Sequence, residues 1–251
     1  MRKLAHSFFE AVSMYTILPA PHGDWEDGRV KYIMAFLPLV GFLIGLLWVL
    51  VYAVSAKLHI PVMLRAFIIS IFPFFISGFL HIDGFMDTCD ALFSRRDLDE
   101  RLRILRDSHV GSFAVTSIIM LMLCNFSSAH GVITLSKDYF MLIIIPIISR
   151  SGGAVFLLKA KPLKGSSMGA FFKEKSHENT VLFIIISIIL CCILSLIFFG
   201  IKGLILSFAL LFAVIFTAYG LNKSFGGFSG DLTGFSISVC ETLGLFLLAV
   251  L

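Results

Sequence analysis

Three aspartates, Asp83, Asp87 and Asp90, lie in the stretch GFLHIDGFMDTCDALFSRR, directly after an apolar run. At about 100° per residue, offsets of four and seven keep the second and third within roughly 40° of the first, so a helix aims all three one way. Carboxylates beside so much apolar surface are costly unless they carry protons or meet a cation. Magnesium suits such a set, because it takes a few carboxylates together with waters and substrate phosphates. An acidic helix end paired with Arg95 and Arg96 in solvent is the plainer reading. Phe85, Met86, Leu92 and Phe93 weigh against it, since they make the same helix apolar.

Other residues offer matching chemistry. Gly84 follows the first aspartate, where the missing side chain admits a phosphate or a neighbouring backbone. Downstream, RDSHVGS supplies Arg106, Asp107 and Ser108 before the next apolar run, a pattern suited to phosphate binding or simply to helix capping. Arg150 stands inside an apolar run, where a buried cation implies a carboxylate or phosphate partner. The late segment FGGFSGDLTG places Asp231 among four glycines, either as a loop folding over a nucleotide or as a flexible turn. His81 and His109 flank the acidic motif, and either can act as a base or a hydrogen-bond donor. His6, His22, His59, His130 and His177 have no comparable neighbourhood.

These residues need a membrane scaffold. Of 251 residues, 58% are hydrophobic and 14% charged, and the mean hydropathy is +0.98. At about 20 apolar residues per crossing, spans are predicted near 32–54, 61–80, 110–134, 139–158, 180–199, 203–221 and 233–251. The expected fold is all-α: a polytopic membrane bundle of about seven helices forming one domain over 1–251. Leu4, Phe8, Ala11 and Tyr15 recur at helical spacing, so residues 1–31 read as an interfacial segment and not a removed signal peptide. A second amphipathic pattern covers Asp97 to Arg106. The five cysteines show no metal-binding spacing and read as small apolar residues.

Lys and Arg test this assignment. Alternate loops divide them fifteen to three: Lys57, Lys137 and Lys202 fall on one side, the remaining loop residues on the other, and Arg65 and Arg150 within spans. By the positive-inside rule, the segments 81–109, 159–179 and 222–232 face the cytoplasm. A site built there, in a cytoplasmic membrane, meets soluble nucleotides and magnesium.

The string LHIDGFMDTCDALF followed by RDSHVG resembles the cobalamin synthase family, the adenosylcobinamide-GDP ribazoletransferases, whose pattern is close to L-H-x-D-G-x-x-D-x-x-D-G with K-D-S-x-x-G downstream. FFEAVSMYTILP near the start and GGFSGDLTG near the end are similar to further motifs of that family, so the likeness runs in order across nearly the whole chain. Ala91, Arg106 and Leu18 depart from the usual Gly, Lys and Arg. The resemblance implies a magnesium-dependent, multi-pass transferase. It would join adenosylcobinamide-GDP to alpha-ribazole, or its 5′-phosphate, and release GMP, without nucleic acid and with an oligomer compatible. It would use Asp83, Asp87 and Asp90 on Mg2+, with Asp90 the choice if one of them is the base, Gly84, Arg106, Ser108 and Arg150 toward substrate, and Asp107 and Asp231 toward metal or the substrate ribose.

Two other classes compete. Membrane phosphotransferases of the CDP-alcohol type resemble D-x-x-D-G-x-x-A-R, but here Gly84 follows the first aspartate and the A-R pair is missing. An ion-coupled transporter would place its carboxylates near the midplane of repeated halves, and no repeat stands out.

Overall fold

A computed structural model describes residues 2–21 and 27–251; His22 lies outside these. The described residues form helices and a single isolated bridge, Pro162 to Phe228. In order the helices are α1 (Arg2–Tyr15), α2 (Asp27–Ile33), α3 (Leu37–Lys57), α4 (Val62–Ile76), α5 (Leu80–Phe93), α6 (Leu98–Ile104), α7 (Ser112–Thr134), α8 (Ile144–Lys159), α9 (Ser167–Lys175), α10 (Thr180–Phe225) and α11 (Gly230–Val250).

Five helical stretches are long and apolar enough to cross a membrane, and α4 with α5, bent by 89° at their junction, makes a sixth. α10 has 46 residues, about 69 Å at 1.5 Å per residue, twice what one crossing needs. It folds back at Gly200, whose φ of 62° and ψ of −150° suit a residue without Cβ. Ser195 and Ser207, which a straight helix would hold about 18 Å apart, therefore meet Oγ to Oγ at 2.8 Å. Counting both legs of α10 gives seven apolar segments, close to the expected boundaries. The chain is a multi-pass membrane protein. The difference falls at the second span, which breaks after Ile76 and does not run straight to residue 80.

The two ends of the bundle separate as the charge count predicts. Lys137 and Lys202 donate to the carbonyls of Val250 and Leu251, and Arg65 lies over the Tyr52 ring. The opposite end gathers the basic loops: Arg101 lies over Phe225, Lys31 accepts from His177 N–H, and residues 161–163 pair with Phe228. Two clusters of buried apolar side chains fill the bundle, one toward each end, and a third surrounds α5 with Phe74, Ile82, Phe85, Cys89 and Leu121. Phe208, Phe212, Ile215 and Phe216 on α10 stay exposed, as a lipid-facing surface does. α1 forms as expected, with Ala11 buried and Phe8 against Phe36. Asp97 caps α6 by accepting from Glu100 N–H at 3.0 Å. All five cysteines are free.

Candidate active site

The site is built where α5 meets α11. Later residues of α5 meet earlier ones of α11, so the helices run antiparallel: the His81 carbonyl accepts from Ser238 Oγ at 3.2 Å, Phe85 stacks on Phe235, and Gly84 lies on the backbone of Asp231. A Cβ on Gly84 would stand 2.6 Å from the Asp231 carbonyl oxygen, so only glycine permits this approach. Gly84 therefore receives a neighbouring backbone, not a phosphate. The consequence is that Asp231 stands beside Asp83 and Asp87, near enough for their charges to act on one another.

Asp83 and Asp231 are exposed and Asp87 is half-buried. Asp83 and Asp231 each sit in the first turn of a helix, where the backbone N–H groups favour negative charge. Asp90, expected among the metal ligands, is committed elsewhere. Its buried carboxylate accepts from the N–H groups of Gly111 and Ala114 at 2.6 and 2.9 Å, so it caps α7 from a neighbouring helix. The geometry thus groups Asp83, Asp87 and Asp231 in place of three aspartates of one helix.

Among the described residues, no group of three or more His, Cys, Asp or Glu side chains is by itself placed to hold a metal ion. A magnesium ion at this crossing would therefore have to take much of its coordination from waters and substrate phosphate, as that ion commonly does.

Asp231 is held by a relay of loops. Ser229 caps α11, its Oγ accepting from Leu232 N–H and donating to Asp231. Phe228 exchanges backbone hydrogen bonds of 2.9 Å with Lys161 and Leu163. The Arg106 guanidinium, in turn, donates to the Lys164 carbonyl. Arg106 and Asp107 line a separate cavity of about 470 Å3 at the basic end with Asp99, Arg103 and Lys164. The Asp107 carboxylate lies below the usual range because His109 donates to it from its ring and its backbone. Ser108 is exposed in the turn between them.

A smaller cavity of about 120 Å3 leads inward from Asp83 and Asp231 to His81 and Arg150, past Tyr15 and Thr233. Arg150 is 1% exposed. Its ion pair is with Glu241 of α11 and not with an aspartate, and it also donates to Ser77 Oγ at 2.9 Å. Ser149 Oγ donates to the same Glu241 oxygen at 3.1 Å. Ser77 opens the break between α4 and α5, where Gly78 and Phe79 both take φ of 60°, and the free carbonyl of Ile76 accepts from Ile17 N–H. Glu241 was readable as an acid inside an apolar run; its partner, 91 residues away, was not.

Comparison with known proteins finds relatives along nearly the whole chain. Residues 7–249 match the family model described as cobalamin-5-phosphate synthase. A Clostridium botulinum (strain Alaska E43 / Type E3) protein is 37% identical over 246 residues, covering 98% of each chain. A Clostridium perfringens (strain 13 / Type A) protein is 37% identical over 248 residues, covering 97% of this chain and 99% of its own. One from Geobacillus sp. (strain WCH70) is 33% identical over 247 residues, covering 96% and 94%. Each carries the name adenosylcobinamide-GDP ribazoletransferase. No solved structure matches.

Proposed function

The chain belongs to the cobalamin-5-phosphate synthase family, and from that premise we propose that it joins adenosylcobinamide-GDP to alpha-ribazole, or its 5′-phosphate, with release of GMP. The ribose 3′-hydroxyl attacks the phosphorus that carries cobinamide, the pyrophosphate P–O bond breaks, and GMP leaves with that oxygen. The observation that supports this reading is the crossing of α5 and α11, which brings Asp231 beside Asp83 and Asp87.

Asp83, Asp87 and Asp231 would hold magnesium, which neutralises charge on the pyrophosphate when bound; phosphoryl transfer depends mainly on such neutralisation and on positioning. The hydroxyl proton passes to one of these carboxylates. Asp90, with both oxygens on backbone N–H groups, is not that base. The cavity lined by Arg103, Arg106, Asp107 and Lys164 suits the guanosine phosphate that departs, through charge-assisted hydrogen bonds. We place the basic end toward the cytoplasm, in line with the positive-inside rule, so that nucleotide and alpha-ribazole arrive from solution. The inner cavity, about 120 Å3, is far too small for a corrin ring, which must lie outside it.

Purified protein in detergent or nanodiscs should release GMP from adenosylcobinamide-GDP only when both alpha-ribazole and magnesium are present. Asp83→Ala, Asp87→Ala and Asp231→Ala should each lower the rate by roughly 10²-fold or more. A folded protein that releases no GMP, or full activity in Asp83→Ala, would overturn the reading.

A further inference from the structure

Two residues that line the small cavity each have a buried nitrogen with no hydrogen-bond partner: His81 Nε2 and Arg150 Nε. Both residues are deeply buried, 6% and 1% exposed, and both line the cavity that Asp83 and Asp231 enter from the other side. Buried polar atoms left unpaired are destabilising, and native structures keep few of them. The rest of the Arg150 guanidinium is satisfied. Glu241 and Ser77 take the terminal nitrogens of Arg150, and Ser149 adds to Glu241.

Nor can His81 withdraw easily. Its carbonyl accepts from Ser238, and a Cβ on Gly234 would stand 3.0 Å from that same oxygen, so the backbone is fixed against α11. The ring is held at the cavity with one nitrogen unspent.

Resting on the transferase reading, we propose that His81 and Arg150 form a phosphoryl subsite, in which His81 Nε2–H and Arg150 Nε–H donate to non-bridging oxygens of the substrate pyrophosphate. Arg150 Nε is a donor only, so its ligand must present an acceptor. The volume equals about four shares of liquid water, room for a phosphoryl group. Asp83 and Asp231 at the outer side of the cavity would help to hold a cation near the same group, and the two N–H donors would meet that group from within. Arg150, already neutralised by Glu241, contributes direction more than net charge.

The test compares wild type with His81→Ala, His81→Asn and His81→Gln in the full-length, detergent-purified protein. The glutamine amide nitrogen reaches the position of Nε2 and the asparagine nitrogen does not. Magnesium pyrophosphate binding, measured by calorimetry, should weaken about tenfold in the alanine and asparagine variants. Their kcat/KM for GMP release should fall roughly 10- to 100-fold, while His81→Gln stays within about threefold of wild type with an unchanged melting temperature. Equal losses in the glutamine and asparagine variants, or wild-type pyrophosphate affinity in His81→Ala, would overturn the subsite. If His81→Ala does not fold, the asparagine and glutamine pair carries the same comparison. Pyrophosphate binding that depends on His81 without any GMP release would retain the subsite and reject the transferase reading; GMP release at full rate in His81→Ala would do the reverse.

Discussion

Replacing Gly84 by alanine should remove activity well before it removes the fold. The new methyl group would stand 2.6 Å from the Asp231 carbonyl oxygen and 2.7 Å from its Cα, both backbone atoms that cannot rotate aside. Ordinary contact begins near 3.4 Å, so α5 and α11 must part locally by about 0.8 Å, an overpacking that costs roughly 1–3 kcal/mol. That displacement falls on the distance between Asp231 and the pair Asp83 and Asp87. A misplacement of about 1 Å in a reacting geometry costs on the order of 10²-fold, so GMP release should fall by about 30- to 100-fold. The control is Gly220→Ala in α10, where an added Cβ meets nothing within 4 Å. There the substitution should leave activity intact and add roughly 0.5–1 kcal/mol of stability from helix propensity. Both variants would be assayed for GMP release and thermal unfolding in the same detergent. Wild-type activity in Gly84→Ala, or an equal loss in Gly220→Ala, would refute the argument that the helix crossing sets the site.

The buried ion pair makes a second prediction: Glu241→Leu strands the Arg150 guanidinium and should cost about 3–5 kcal/mol, while Arg150→Met with Glu241→Leu should return to within about 2 kcal/mol of wild type. Thermal melts of the cycle decide it, and additive single effects would dissolve the pair. Asp90→Asn should lower stability by about 1–2 kcal/mol through the lost cap and leave the magnesium dependence of GMP release unmoved. Asp83→Asn should do the opposite, raising the magnesium needed without lowering the melting temperature; the reverse pattern would return Asp90 to the metal. Arg106→Ala should speed hydrogen exchange in residues 159–166 and raise KM several-fold, and Arg106→Lys should recover most of both, because one N–H suffices for the Lys164 carbonyl. Unchanged exchange in Arg106→Ala would show that the hydrogen bond from Arg106 to the Lys164 carbonyl does not hold the loop.

Much of the architecture was legible along the chain. Apolar runs long enough to cross a membrane, and the division of lysine and arginine between alternate loops, depend only on composition within a window, so the legs and the two ends of the bundle could be assigned without coordinates. The 180–199 and 203–221 segments were separable for the same reason, even though only the reversal at Gly200 parts them. The acidic face of α5 was legible from helical period alone, and Asp231 from its place in a glycine-rich motif.

What stands opposite that face was not. Asp83, Asp87 and Asp90 look equivalent in one dimension, yet Asp90 meets the start of α7 while the backbone of Asp231 packs against Gly84. The partner of Arg150 is likewise an acid 91 residues away, and the second span breaks beside that pair. Sequence alone determined which residues carry charge into an apolar chain and the direction each helix can aim them. Tertiary structure decided which of them meet, because a carboxylate's role depends on whether N–H groups, a cation or another carboxylate lies within a few ångströms, and those neighbours arrive on other helices.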